Sequence, residues 1–126
     1  MTETSIVHSQ TVDVKNYITF IETRIFSKRI SELISDDAFA EFQAELAQTP
    51  SKGTIIEGTG GLRKVRCKLK GKGKSGGVRI MYLFLKMHGI IHLVFVFAKS
   101  ESDNLTANEK KQLKNIVNAI KSEYQK

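Results

Sequence analysis

Two apolar runs, Val78 to Met87 and Ile90 to Ala98, stand either side of His88-Gly89. Apart from Arg79 and Lys86, the first run is apolar at odd and even positions alike, and the second departs only at His92. A strand with one wet face alternates, so runs of this kind read as central strands covered on both faces. Glycine tolerates positive φ and histidine does so less often, which makes His88-Gly89 a tight hairpin turn. A hairpin buried on both sides needs layers above and below it, and the rest of the chain has to supply them.

The segment before the hairpin does alternate. From Lys64 onward, Val65, Cys67 and Leu69 point one way and Lys64, Arg66 and Lys68 the other. One face of this strand, Leu62 to Leu69, therefore packs on a core while the other presents a row of cations. Gly71 to Gly77 is a lysine-tipped loop joining it to the hairpin. Upstream, Tyr17 to Ile21 is β-branched and aromatic, a short first strand. Ile25, Phe26, Ile30, Leu33 and Ile34 follow helical spacing. Asp36-Asp37 suits the electropositive start of a second helix, whose Phe39, Phe42 and Leu46 share a stripe before Pro50. At the C-terminal end Thr106-Ala107-Asn108-Glu109 reads as a capping box. Leu113, Ile116, Val117, Ile120 and Tyr124 give that last helix its buried stripe. The expected class is α+β: a small antiparallel sheet of roughly three to five strands, packed against an N-terminal helical hairpin, with a C-terminal helix. Residues 1–16 are polar and weakly patterned, a mobile arm or an added edge strand, ahead of a single domain over 17–126.

Charge is distributed unevenly. Between Gly58 and Ser100 there are ten Lys or Arg residues and no Asp or Glu, whereas the whole chain of 126 residues has a net charge of +7. A basic field confined to one segment points to a polyanionic partner. One cysteine, Cys67, excludes an internal disulfide and suits a reducing cytoplasm, and it reads as a small buried hydrophobe. No apolar run reaches the roughly eighteen residues that span a bilayer, and the cations sit on a strand and a loop rather than on an amphipathic helix, so no membrane is expected. His8, His88 and His92 share no metal-ligand spacing. Lys72-Gly73-Lys74-Ser75 lacks the first glycine of a P-loop and is followed by a strand rather than a helix.

Three blocks resemble the RelE/HigB family of toxins from bacterial type II toxin–antitoxin modules. They are Gly58-Thr59-Gly60-Gly61-Leu62-Arg63-Lys64-Val65-Arg66, the stretch from Gly71 to Tyr82, and Phe97-Ala98-Lys99-Ser100-Glu101. Phe42-Gln43-Ala44-Glu45-Leu46 is similar to the HigB-type branch. The resemblance, running from about Phe20 to about Tyr124, implies a RelE-like fold. It also implies a ribosome-dependent endoribonuclease that cuts mRNA through the neighbouring 2′-hydroxyl, without metal or other cofactor. Its implied partners are a cognate antitoxin, a small helix-turn-helix protein, and the ribosome with its rRNA and mRNA. The family's sheet cations fall on Lys64, Arg66 and Arg79. The arginine expected after Lys99 is Ser100, and the tyrosine expected further on falls near Leu105, which leaves Lys99 or Tyr82 as the leaving-group acid.

The chemistry of that cleavage is consistent with such residues. A 2′-oxygen has to lose a proton, phosphorane charge has to be stabilised, and the 5′-oxygen has to gain a proton. Arginine's planar fork holds two non-bridging oxygens, a role assigned to Arg66 and Arg79, while Lys64 takes the proton-abstraction side. Arg63, Lys68, Lys70, Lys72 and Lys74 are expected to grip RNA backbone. Tyr82, amid a two-sided apolar strand, also has a plain reading as core. The alternative function is a non-catalytic or degenerate module member that binds nucleic acid or antitoxin without cutting. Against simple binding, the cationic strand carries no aromatics of the kind that stack bases.

Overall fold

The computed structural model describes residues 9–12, 18–68, 77–98 and 105–125. In chain order these form β1 (Ser9–Val12), β2 (Ile18–Glu22), α1 (Arg24–Leu33), α2 (Asp36–Gln48), β3 (Thr54–Ile55), β4 (Arg63–Cys67), β5 (Val78–Leu85), β6 (Ile90–Ala98) and α3 (Ala107–Ser122). The strands make one six-stranded sheet in the order β1-β2-β6-β5-β4-β3. The α+β class holds, but the sheet differs from expectation in two respects. It has six strands, and it is mixed: β2 runs parallel to β6, Thr19 opposite Ile90 through Glu22 opposite Leu93. The reason is the route of the chain. After β2 it passes through α1 and α2, re-enters the sheet at its far edge as β3, and reaches β6 only after three antiparallel reversals. On its other side β2 pairs antiparallel with Ser9–Val12, from the N-terminal segment.

Helix starts are fixed by side-chain oxygens. The Thr23, Ser35 and Thr106 side chains accept from the backbone N–H groups of Phe26, Ala38 and Glu109 respectively. Each satisfies a donor that the first helical turn leaves without an intrahelical partner. Thr106 and Glu109 complete the reciprocal box that their spacing predicts. Thr23 also anchors the β2–α1 junction to β6: its N–H donates to Leu93 O (3.0 Å) and its hydroxyl to Val94 O (2.7 Å).

Both faces of the sheet are apolar. One core joins Phe26, Ile30, Ile34, Phe42, Leu46 and Ala47 to Val65, Cys67, Ile80, Tyr82, Leu93 and Val96. On the opposite face Leu62, Met81, Leu83, Val94 and Phe97 pack with Val117 and Ile120 of α3. Ile116, expected in the α3 stripe, is 37% exposed because it lies one helical step, about 100°, from the Val117–Ile120–Tyr124 line. Ile25 is exposed for the same reason beside Phe26.

The β5–β6 connection is longer than the expected two-residue turn. β5 stops at Leu85, Lys86–His88 form a single 3-10 turn, and Gly89 closes it at φ 63°. Only a residue without a Cβ adopts that φ cheaply. Met87, read as the end of a strand, is instead 90% exposed at the tip.

Candidate nucleic-acid interface

The alternation of β4 holds as far as Cys67: Val65 and Cys67 enter the core beneath α1 and α2, while Lys64 and Arg66 face the α3 side. Residues directly opposite across an antiparallel pair share a face, so register decides what joins them. Arg66 lies opposite Arg79 and Lys64 opposite Met81. Three cations thus share one face, Arg66 and Arg79 with Cβ atoms about 5 Å apart and Lys64 about 7 Å further along β4. A patch of that size suits a single phosphodiester. Arg79 is 9% exposed and is the only charged residue within β5.

Room for this pairing comes from Gly77. A Cβ there would lie 2.9 Å from Cys67 O and 3.4 Å from Arg66 Nε, so a side chain would push against both β4 and the guanidinium. On its other flank Arg79 lies opposite Phe97, with Phe95 two residues back along β6. Their ring centroids are 6.3 Å apart.

Not every candidate joins this cluster. Arg63 is in phase with Val65 and faces α2, where its guanidinium donates to Ser51 O (3.1 Å) and Gly53 O (2.7 Å). It holds the α2–β3 turn. Tyr82, opposite Arg63, is fully buried on that same face. Its hydroxyl donates to Pro50 O (2.7 Å) and accepts from Gly53 N (2.8 Å). Burial pushes the phenol's pKa up. A group on the wrong side of the sheet with both hydrogen-bonding roles filled does not serve as the acid, so Tyr82 leaves the candidate set. Lys68 follows β4 and is exposed. Lys70, Lys72, Lys74 and Lys99 lie outside the described residues.

Other titratable groups are accounted for by packing. Cys67 is pushed up to about 11, first by burial and then by Glu45, with Lys52 opposing. His92 is lowered to about 4 by burial, its Nε2 standing 3.0 Å from the Tyr124 hydroxyl. Among the described residues no group of three or more His, Cys, Asp or Glu side chains is placed to hold a metal ion. An open cleft of about 1060 Å³ lies between α2 and the end of β4. Its walls are mixed, with Asp37, Glu41 and Glu45 alongside Lys52, Arg66 and Lys68. Arg66, near the end of β4, borders this cleft and also lies opposite Arg79; a polyanion is better matched by the face that Arg66 shares with Lys64 and Arg79, and the candidate site is placed there.

The profile of the RelE toxin of RelE/RelB toxin–antitoxin systems matches residues 19–126. The chain belongs to the RelE toxin family. The match covers every element from β2 to α3, so the cationic face is part of the toxin fold. No helix among the described residues is long and apolar enough to cross a membrane.

One contributor carries no signal in the sequence. Arg29 sits on α1, yet its Nε donates to Val96 O (3.0 Å) and its guanidinium lies over the Phe95 ring, 5.6 Å from the centroid. Only the sheet order brings an α1 residue to that place.

Proposed function

We propose that this RelE-family toxin is a ribosome-dependent mRNA endoribonuclease of the HigB-like branch, acting in the cytoplasm. The observation that carries the reading is the register that sets Arg66 directly across from Arg79, with Lys64 on the same face. A polyanionic substrate matches the cationic face that this register builds. In the proposed mechanism the two guanidinium forks hold the non-bridging oxygens of the scissile phosphate. Lys64 takes the 2′-hydroxyl proton, the 2′-oxygen attacks phosphorus, and the bond from phosphorus to the 5′-oxygen breaks. The products are a 2′,3′-cyclic phosphate and a 5′-hydroxyl that has gained a proton. With Tyr82 removed, Lys99 is the proposed donor of that proton. Lys68, Lys70, Lys72 and Lys74 contribute sequence-blind backbone contacts. A cognate antitoxin of the small helix-turn-helix type, carrying an acidic segment, would mask this face and silence the toxin.

The test is ectopic expression of the chain and of Arg79→Met. The native chain arrests growth and leaves cleaved mRNA with 5′-hydroxyl ends. Arg79→Met loses both effects while remaining soluble and folded by circular dichroism. Arrest that persists in Arg79→Met removes the site assignment. Arrest with intact mRNA favours the alternative of a binding module without cleavage, which Ser100 and Leu105 at the family's arginine and tyrosine positions also favour.

A further inference from the structure

β2 accompanies β6 only as far as the Glu22–Leu93 pair. Beyond that point the outer edge of β6 is met by side chains, the Thr23 hydroxyl on Val94 O and Arg29 Nε on Val96 O. Arg29 reaches further than capping that edge requires. Its guanidinium comes to rest over the Phe95 ring. Phe95 lies opposite Met81, and Phe97 opposite Arg79, so this ring is on the face that carries Arg66 and Arg79. Phe95 is half-buried, and its inner side packs against the α3-side core. The Val96 carbonyl and the Phe95 ring thus hold the guanidinium at this place on the sheet edge.

Phosphate binding does not need a plane held in this way, since an ammonium group supplies the same charge. Stacking does need one. Unpaired bases of single-stranded RNA stack on aromatic rings and on arginine planes, and every base offers a π-face. The Phe95 position is diagonal to Arg79 across the β5–β6 pair, about 7–8 Å away. That is within reach of a base adjoining a phosphate held at Arg79. We infer that Arg29, held beside Phe95 by its bond to Val96 O, is a nucleobase-stacking subsite. It would receive the base next to the phosphodiester gripped by Arg66 and Arg79. The inference rests on the RNA reading above and deepens it, supplying the stacking surface that the cationic strand lacks. Purines, with the larger face, are favoured over pyrimidines at this position.

The test uses a short single-stranded RNA carrying 2-aminopurine, made uncleavable by 2′-O-methylation and titrated with the full chain. Stacking is read from quenching of 2-aminopurine fluorescence at saturation. Phosphate contacts are read from the salt dependence of affinity. Arg29→Lys keeps the charge and loses the plane: it is expected to lose most of the quenching while the salt slope stays as in the native chain. Phe95→Leu keeps an apolar side chain at the edge of the core and is expected to change quenching in the same direction. Arg79→Ala is expected to lower the salt slope by about 1 while quenching at saturation remains. Full quenching in both Arg29→Lys and Phe95→Leu overturns the subsite, leaving Arg29 a sheet-edge cap and the RNA reading intact. Absence of any binding by the native chain, both to the free RNA and to ribosomes programmed with it, overturns both. Should Arg29→Lys fail to fold by circular dichroism, Phe95→Leu decides the matter alone.

Discussion

Replacing Tyr82 by phenylalanine separates a structural tyrosine from a catalytic one, because the substitution changes one oxygen and no packing volume. That oxygen donates to Pro50 O and accepts from Gly53 N, tying the end of α2 and the start of β3 to the middle of β5. Removing it leaves the Gly53 N–H in a buried bond without a partner, at a cost of about 1–3 kcal/mol. The lost bond to the half-buried Pro50 carbonyl adds about 0.5–1.5 kcal/mol. A total of about 1.5–4.5 kcal/mol is expected. At about 2.1 cal/mol/K per residue, unfolding 126 residues carries an entropy of ~0.26 kcal/mol/K, so 1 kcal/mol moves the melting temperature by about 4 °C. Tyr82→Phe should therefore melt about 6–18 °C below the native protein by circular dichroism. Inhibition of cell-free translation, assayed well below that melting temperature, should be retained. A general acid behaves oppositely, its loss costing about 10²–10⁴ in rate. A melting temperature within about 2 °C of native, combined with inhibition reduced a hundredfold, would refute the structural reading.

Three further outcomes follow from the packing. His92 titrates near 6.5 when unfolded and is held at about 4 in the fold, so the unfolded chain binds the extra proton between those values. Its contribution is complete above pH 6.5 and is lost as pH falls toward 4, about 3 kcal/mol in all. Denaturant melts of His92→Gln should be flatter over this window than those of the native protein; equal slopes would exclude His92 as the cause. The Cys67 thiol, pushed up to about 11, should resist iodoacetamide at pH 8 until the chain is unfolded by guanidinium, and prompt labelling of the native protein would contradict its burial. Thr106→Ala removes the capping box at the start of α3 and should cost about 1 kcal/mol, seen as faster amide exchange in the first turn of α3; unchanged exchange would show that the cap is not limiting.

Much of the candidate site is legible because strand period is a local property. Lys64 and Arg66 on one side, with Val65 and Cys67 on the other, follow from alternate side chains pointing to opposite faces. The same period already places Arg63 in phase with Val65, and counting it among the RNA-binding cations reads charge where phase should decide. Tyr82 is different. Its apolar run gives no phase, because β5 is covered on both sides. Only its pairing with Arg63 reveals which face it occupies.

Caps and apolar stripes depend on neighbours a few residues apart, and so composition and spacing settle the three helices, the main strands, the α+β class and the cationic strand, though not the short β3 or the 3-10 turn at Lys86–His88. Strand order, and the pairing of one particular residue with another, depend on contacts between segments separated by tens of residues, which local pattern does not fix by itself. Those contacts made β2 parallel to β6, set Arg79 against Arg66, sent Tyr82 to the far face, and carried Arg29 round an open edge to Phe95.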